Sequence, residues 1–401
     1  MVRTLALALS LVMLALNGTA SSQPAAVVAD PITGWNQAAT AAAAAAGMPP
    51  LRTPISLAIL HVAMFEAVSD AAPPASAYAA AVQAGYRVLL AEFPSQQQAL
   101  ELTYRNLLAA EADSPGKSGG MKIGDTIAQR LLASRANDGR NLTITYVPGS
   151  GAGVWIPTPP GFLAVSTAFL AKVTPFTMDG PSQFRPVGPP QLGSKRWTSD
   201  YNEVKTLGVK DGSTRTPEQT ATALFWEPLA GTVWIPTIRR IAREQKLDLS
   251  SSARFQAAAF AAFADGLIAC WDAKFHFNFW RPVTAVQDGD ADGNARTEPD
   301  PQWQPLALTP NFPEYPSGHA CVSAAVAHTI QDFFHNDVLI PARNVVSGEE
   351  RVYRRASHLV DEVVEARMLL GLHFRTGDED GAEIGRRIAR QIRRQWLKNN
   401  P

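Results

Sequence analysis

Alanine- and leucine-rich runs with few β-branched clusters dominate the first third of the chain. Their pattern predicts helices over Trp35–Ala46, Pro54–Ala71, Ala77–Glu92, Gln96–Ala112 and Gly119–Asn137. The pattern then breaks. Proline and glycine punctuate much of 138–195, in stretches such as PTPPG and PVGPP, and read as long loops. Loops of this length in a compact protein usually border a site or a partner. Helical patterning resumes over Ser199–Thr206, Pro217–Glu227 and 232–245, and one long apolar helix is expected from Ser251 to about Phe275. Seven prolines mark 282–316 as another loop. Ser317 then opens a helix, and two more are expected at about 349–372 and 380–398. No repeat of 20–50 residues is evident. The reading is a single all-α domain over 23–401, built of packed helical bundles with long Pro/Gly-rich loops.

Composition narrows the possibilities. The chain has 401 residues, 46% of them hydrophobic, which is enough for a sizeable core. Lys and Arg number 36 and Asp and Glu 36, so no basic field exists to recruit nucleic acid. The N-terminus predicts a secretory signal over 1–22: Arg3, an apolar stretch from Leu5 to Leu16, then the small residues Gly18-Thr19-Ala20. That apolar stretch is short for a membrane span, which needs about 20 residues. The expected mature protein is exported, periplasmic or extracellular, with no later membrane-spanning stretch. Export permits a disulfide between the two cysteines, Cys270 and Cys321; two buried thiols are the alternative.

Three segments carry candidate chemistry. In KFHFNFWRP, Lys274 and Arg281 stand seven residues apart among aromatics, including Trp271 and Trp280. In a continuous helix they would share a face about 10 Å apart, but Pro282 disfavours helix at Arg281. Buried cations are costly unless an anion meets them. In FPEYPSGHA, Ser317 is a good N-cap and Gly318 allows close approach of a ligand to the backbone. Together with His319 they form a cradle of N–H groups, a hydroxyl and an imidazole at a helix start. In ARMLLGLHF, Arg367 and His373 flank an apolar stretch containing Gly371. Three cations, the Ser-Gly cradle and two histidines match the needs of a tetrahedral oxyanion: phosphate, or an ion of the same shape. One histidine can attack or ligate the central atom, and the other can move a proton.

The pattern Lys274-x6-Arg281-Pro282, then Pro316-Ser317-Gly318-His319, then Arg367-x5-His373 resembles the vanadium-dependent haloperoxidases, which share a site with the type 2 phosphatidic acid phosphatase superfamily. The likeness covers Ala264 to Asp378. It implies an all-α fold and bound vanadate, with His373 ligating vanadium. Lys274, Arg281, Ser317, Gly318 and Arg367 would hold the other oxygens, and His319 would serve as acid/base. Lys274 would polarise hydrogen peroxide, and halide would be oxidised to hypohalous acid. The alternative on the same residues is a secreted acid phosphatase. There His373 attacks a phosphate ester to give a phosphohistidine. Trp271 and Phe312 stand where the chloroperoxidase branch has aromatics and are the expected halide pocket.

This chain departs from the family pattern at two positions. Ala366 stands where the family has Ser. Gly377 stands where it has an acid four residues after the histidine, and Asp378 is the nearest substitute. Asp265 is a further candidate orienting acid for Arg367 or a histidine. His276 is a candidate site neighbour from its place between Lys274 and Arg281. DGDADGNARTE offers Asp288, Asp290 and Asp292 as half of a calcium loop, but Pro299 replaces the closing acid; an Asp/Gly-rich turn is the competing reading.

Overall fold

The structure is a computed structural model that describes residues 30–165 and 167–397; the expected leader lies outside them. The helices are α1 (Pro31–Ala45), α2 (Thr53–Asp70), α3 (Ala77–Glu92), α4 (Gln97–Leu108), α5 (Pro115–Ser134), α6 (Lys195–Leu207), α7 (Pro217–Phe225), α8 (Ala230–Glu244), α9 (Leu249–Phe277), α10 (Pro282–Gln287), α11 (Gly318–Phe333), α12 (Ala356–Leu369) and α13 (Arg375–Ile392). The fold is all-α. The β-sheet among the described residues is one antiparallel hairpin, β1 (Ile340–Arg343) and β2 (Glu350–Tyr353), with Ile340 opposite Tyr353. This hairpin occupies the start of the helix expected at 349–372, so α12 begins only at Ala356. Polar caps set several helix starts: Ser76 accepts from the Ala79 N–H and Asp248 from the Ser251 N–H.

Helix α9 is the axis of the fold. It packs against α2 on one side and against α11 and α13 on the other. The run from Phe255 to Trp271 is buried on every face, as expected of a helix that is apolar all round. Contrary to the sequence expectation, α9 has the length and apolarity of a membrane span. Its most apolar window is 94% buried inside the protein, so it reads as a core helix.

Two chain reversals bring the site segments together. Helix α9 stops because Asn278 turns left-handed (φ 49°) and closes its N–H onto the Lys274 carbonyl at 2.8 Å. Lys274 therefore sits in the last turn of α9. Arg281 sits in extended backbone ahead of α10, and the two do not share a helix face. Helix α12 stops just ahead of Gly371, whose φ is +74° and where a Cβ would lie 2.5 Å from the Gly208 carbonyl oxygen. This turn sends Leu372 and His373 back into the bundle. Gly371→Ala is expected to lower folding stability by about 2 kcal/mol or more, combining left-handed strain with a backbone clash. Thermal unfolding would show it.

The long loop at 138–195 is pinned to α9. Arg185 grips Asp272 with two bonds of 2.8 and 2.9 Å. Buried Asp265 accepts from the Phe176 N–H (2.8 Å), the Thr177 N–H (2.9 Å) and the Thr177 hydroxyl (2.6 Å). Asp265 is thus a loop anchor and does not orient Arg367 or a histidine.

Candidate active site

The end of α9, the 312–317 segment and the α12–α13 turn converge below the start of α11. Lys274, Arg281 and Arg367 are all buried there. Lys274 Nζ donates to the carbonyls of Pro313 (2.9 Å), Glu314 (2.7 Å) and Pro316 (2.5 Å). Arg281 donates from Nε to the Phe312 carbonyl (2.9 Å) and from Nη1 to that of Leu372 (2.8 Å). Arg367 Nη1 donates to the Trp226 carbonyl at 3.0 Å. Among the described residues, no carboxylate forms an ion pair with any of the three. Burial is the main reason their pKa values fall, to about 8 for Lys274, about 9 for Arg281 and about 10 for Arg367.

Several donors in this cluster are left over. Arg281 Nη2, Arg367 Nε and Ser317 Oγ are buried with no hydrogen-bond partner among the described residues. Ser317 stands at the N-cap position of α11, yet its hydroxyl makes no capping bond. The first-turn N–H groups of Gly318 and His319 have no intrahelical acceptor either. Buried polar groups are normally satisfied. Orphaned donors beside three buried cations are a set that a bound oxyanion would satisfy.

The two histidines are held differently. His373 Nδ1 lies 2.8 Å from Glu314 Oε1, and its Nε2 lies 3.3 Å from Arg281 Nη1. These partners assign the proton to Nδ1 and leave the Nε2 lone pair facing the cations. Burial, then Arg281, Lys274 and Arg367, pull the His373 pKa well below its ordinary value. Burial pushes Glu314 up to about 8, against the pull of Lys274 and Arg281. His319 Nε2 lies 3.0 Å from the Pro228 carbonyl, which can only accept, so Nδ1 is its free basic atom. Desolvation and the charge of Arg367 also hold His319 neutral.

Glu314 is the neighbour of His373 that sequence reasoning missed. It replaces Asp378 as the acid on His373. Gly377 explains why: a Cβ there would lie 2.4 Å from Glu314 Oε1, so the carboxylate occupies the space a side chain at 377 would fill. Asp378 instead lies buried beside Ser317 without a well-formed hydrogen bond, and desolvation pushes its pKa well above the carboxylate range.

A cavity of about 720 Å³ opens onto the cluster, with Gly318, His319, Arg367, His373, Trp271 and Phe312 among its lining residues. Trp271 and Phe312 pack with ring centroids 5.1 Å apart, and Lys274 Nζ lies 5.7 and 5.2 Å from them. Thr167, from the long loop, accepts from Trp271 Nε1 at 3.0 Å. Trp280 does not join this wall; it packs with Trp197 and Phe279 in a separate cluster. His276 is exposed, packed edge-on to Phe277, and belongs to no site. Cys270 and Cys321 are free buried thiols. Asp288, Asp290 and Asp292 do not gather as a metal site. Asp292 is already filled by Trp197 Nε1, the Asn294 N–H and the Thr297 hydroxyl. No cluster of His, Cys, Asp and Glu among the described residues is grouped to hold a metal ion.

Residues 254–398 match the family described as the VCPO second helical-bundle domain. This bundle is thus similar to the second helical bundle of the vanadium chloroperoxidases. A vanadium chloroperoxidase of Curvularia inaequalis is 32% identical over 184 residues, 37% of this chain; the chain spans 30% of that relative's length. Among solved structures, a bacterial vanadium-dependent iodoperoxidase superposes with a TM-score of 0.75 at 22% identity, covering 91% of this chain and 96% of the other. A holo-type bacterial vanadium-dependent chloroperoxidase gives 0.65 at 17% identity, covering 88% and 93%. The haloperoxidase fold thus extends well beyond the matched bundle. The orphaned Arg, Ser and N–H donors, with His373 Nε2 among them, are a donor set that fits vanadate.

Proposed function

We propose that this protein is a vanadate-dependent haloperoxidase in which hydrogen peroxide oxidises halide to hypohalous acid. The observation that carries this reading is the set of buried, unpartnered oxyanion donors around a histidine with a fixed tautomer. Arg281 Nη2, Arg367 Nε, Ser317 Oγ and the Gly318 N–H would hold the vanadate oxygens, and His373 Nε2 would ligate vanadium. Vanadate bound there supplies a Lewis-acidic centre at which hydrogen peroxide is activated for two-electron transfer. Lys274 has its three protons on carbonyls, so it contributes first through its charge. His319, neutral and with Nδ1 free, accepts a proton from incoming peroxide and returns it to the leaving oxygen. Trp271 and Phe312 line the apolar end where halide approaches. In balance, hydrogen peroxide, halide and one proton give hypohalous acid and water.

One preparation assayed two ways tests the reading. Bromination of a phenolic dye with peroxide and bromide is expected to depend on added orthovanadate. Hydrolysis of an aryl phosphate that vanadate inhibits, without bromination, would instead make the protein a phosphatase. Both oxyanions are expected to stabilise the fold. At 100 times the dissociation constant, either adds about 2.7 kcal/mol, read as a rise in melting temperature. We also propose export, from Arg3, the Leu5–Leu16 stretch and Gly18-Thr19-Ala20. N-terminal sequencing of the secreted protein should begin within a few residues of Ser21.

A further inference from the structure

We propose that the large cavity binds an apolar organic acid, with its acid group on Arg239 and its body reaching the oxyanion site, as the acceptor of the oxidised halide. The acceptor role rests on the haloperoxidase reading; the binding does not. A halide or hypohalous acid needs little room, whereas about 720 Å³ lies in the range that holds an organic ligand. The cavity runs from His319 and His373 to α1 and α8. Ala43, Met48, Leu51, Leu229, Ile235 and Leu267 give it apolar walls.

Arg239 is the charged residue lining the α1–α8 end among the described residues, with the hydroxyls of Thr40, Thr53 and Thr232 as its neutral polar company. Its Nη1 donates to Asn36 Oδ1 (3.2 Å) and Thr40 Oγ1 (3.3 Å), both neutral acceptors. No carboxylate among the described residues forms an ion pair with it. Desolvation, then the like charge of Arg243, pulls its pKa down. The next group in line, His61, bonds Asn36 at 2.7 Å and is held neutral by burial. A guanidinium facing an apolar cavity without a counter-charge is matched by a ligand carboxylate, which it can grip with two parallel bonds. At the other end, Trp271 and Phe312 suit an electron-rich ring or alkene. Hypohalous acid formed there transfers halogen to that carbon. The O–X bond breaks, the C–X bond forms, the carbon loses its proton, and water leaves.

The test uses the apoprotein without peroxide or halide, so it does not depend on halide oxidation. Phosphate is present to fill the oxyanion site. Fluorescence titration with 6-hydroxy-2-naphthoate is expected to show saturable binding, tighter than that of neutral 2-naphthol. Arg239→Met should weaken the naphthoate by about tenfold or more and leave 2-naphthol unchanged, which also shows the variant is folded. Ile235→Trp, which fills the cavity, should weaken both. Naphthoate binding unchanged in Arg239→Met, or both ligands unchanged in Ile235→Trp, would overturn the proposal. If binding stands and the vanadate-loaded enzyme forms no hypohalous acid, the haloperoxidase reading fails and the binding site remains.

Discussion

His373→Ala is expected to abolish vanadate-dependent bromide oxidation, with a loss of at least about 10³-fold, at or above the upper end of what removing one oxyanion donor costs. The imidazole is fixed at both nitrogens, Nδ1 on Glu314 and Nε2 beside Arg281. Alanine removes the imidazole nitrogen that lies beside the Arg281 guanidinium. Arg281, Arg367 and Ser317 remain, so the variant should still attract oxyanions weakly by charge. Equilibrium ultrafiltration with orthovanadate separates the two effects. Binding falls but persists, whereas activity disappears. Activity within tenfold of the parent would show that His373 does not ligate the cofactor.

Glu314→Ala carries the second large effect. It leaves the His373 Nδ1–H and the Phe374 N–H, now 3.2 Å from Glu314 Oε1, without acceptors. Loss of a carboxylate that orients a metal-ligating histidine typically lowers affinity by about 10–100-fold, and vanadate affinity should fall by that amount. Placing an acid at 377 should recover part of it. Gly377→Asp alone is expected to destabilise the protein, because its Cβ lands 2.4 Å from Glu314 Oε1. In the Glu314→Ala background that space is vacant. The double variant should therefore bind vanadate better than Glu314→Ala alone. The His373 imidazole nitrogen resonances of the apoprotein report the tautomer independently of activity: they should shift in Glu314→Ala and return in the double variant. No recovery on either readout would mean that position 377 cannot take over the role of Glu314.

The fold class and the convergence of the three segments were legible because local signals carried them. Alanine-rich runs set the helices, and the three short motifs hold Lys274, Arg281, Ser317, His319, Arg367 and His373 at fixed spacings. The structure places these residues together. What escaped depended on contacts between distant segments. Glu314 was in plain view, three residues before Ser317, but nothing local says that it faces a histidine 59 positions away. Its signal was the glycine at 377, an absence that a carboxylate elsewhere had to fill. Asp265 and Trp280 have the residue types of a site, yet the fold uses them to anchor a loop and fill a core. Strand β2, Glu350–Tyr353, fell inside the helix expected at 349–372 because the strands of this hairpin are only four residues each. Arg239 lies on α8, outside the three motifs, and is marked out by the cavity beside it.

The most direct measurement is a titration of chelator-stripped protein with orthovanadate, followed by initial rates of bromide oxidation at fixed peroxide. The account predicts negligible activity at the start, a rise that breaks at one equivalent per chain, and a flat line for His373→Ala. Bromide oxidation that is already full without vanadate, or that never appears with it, would contradict the account.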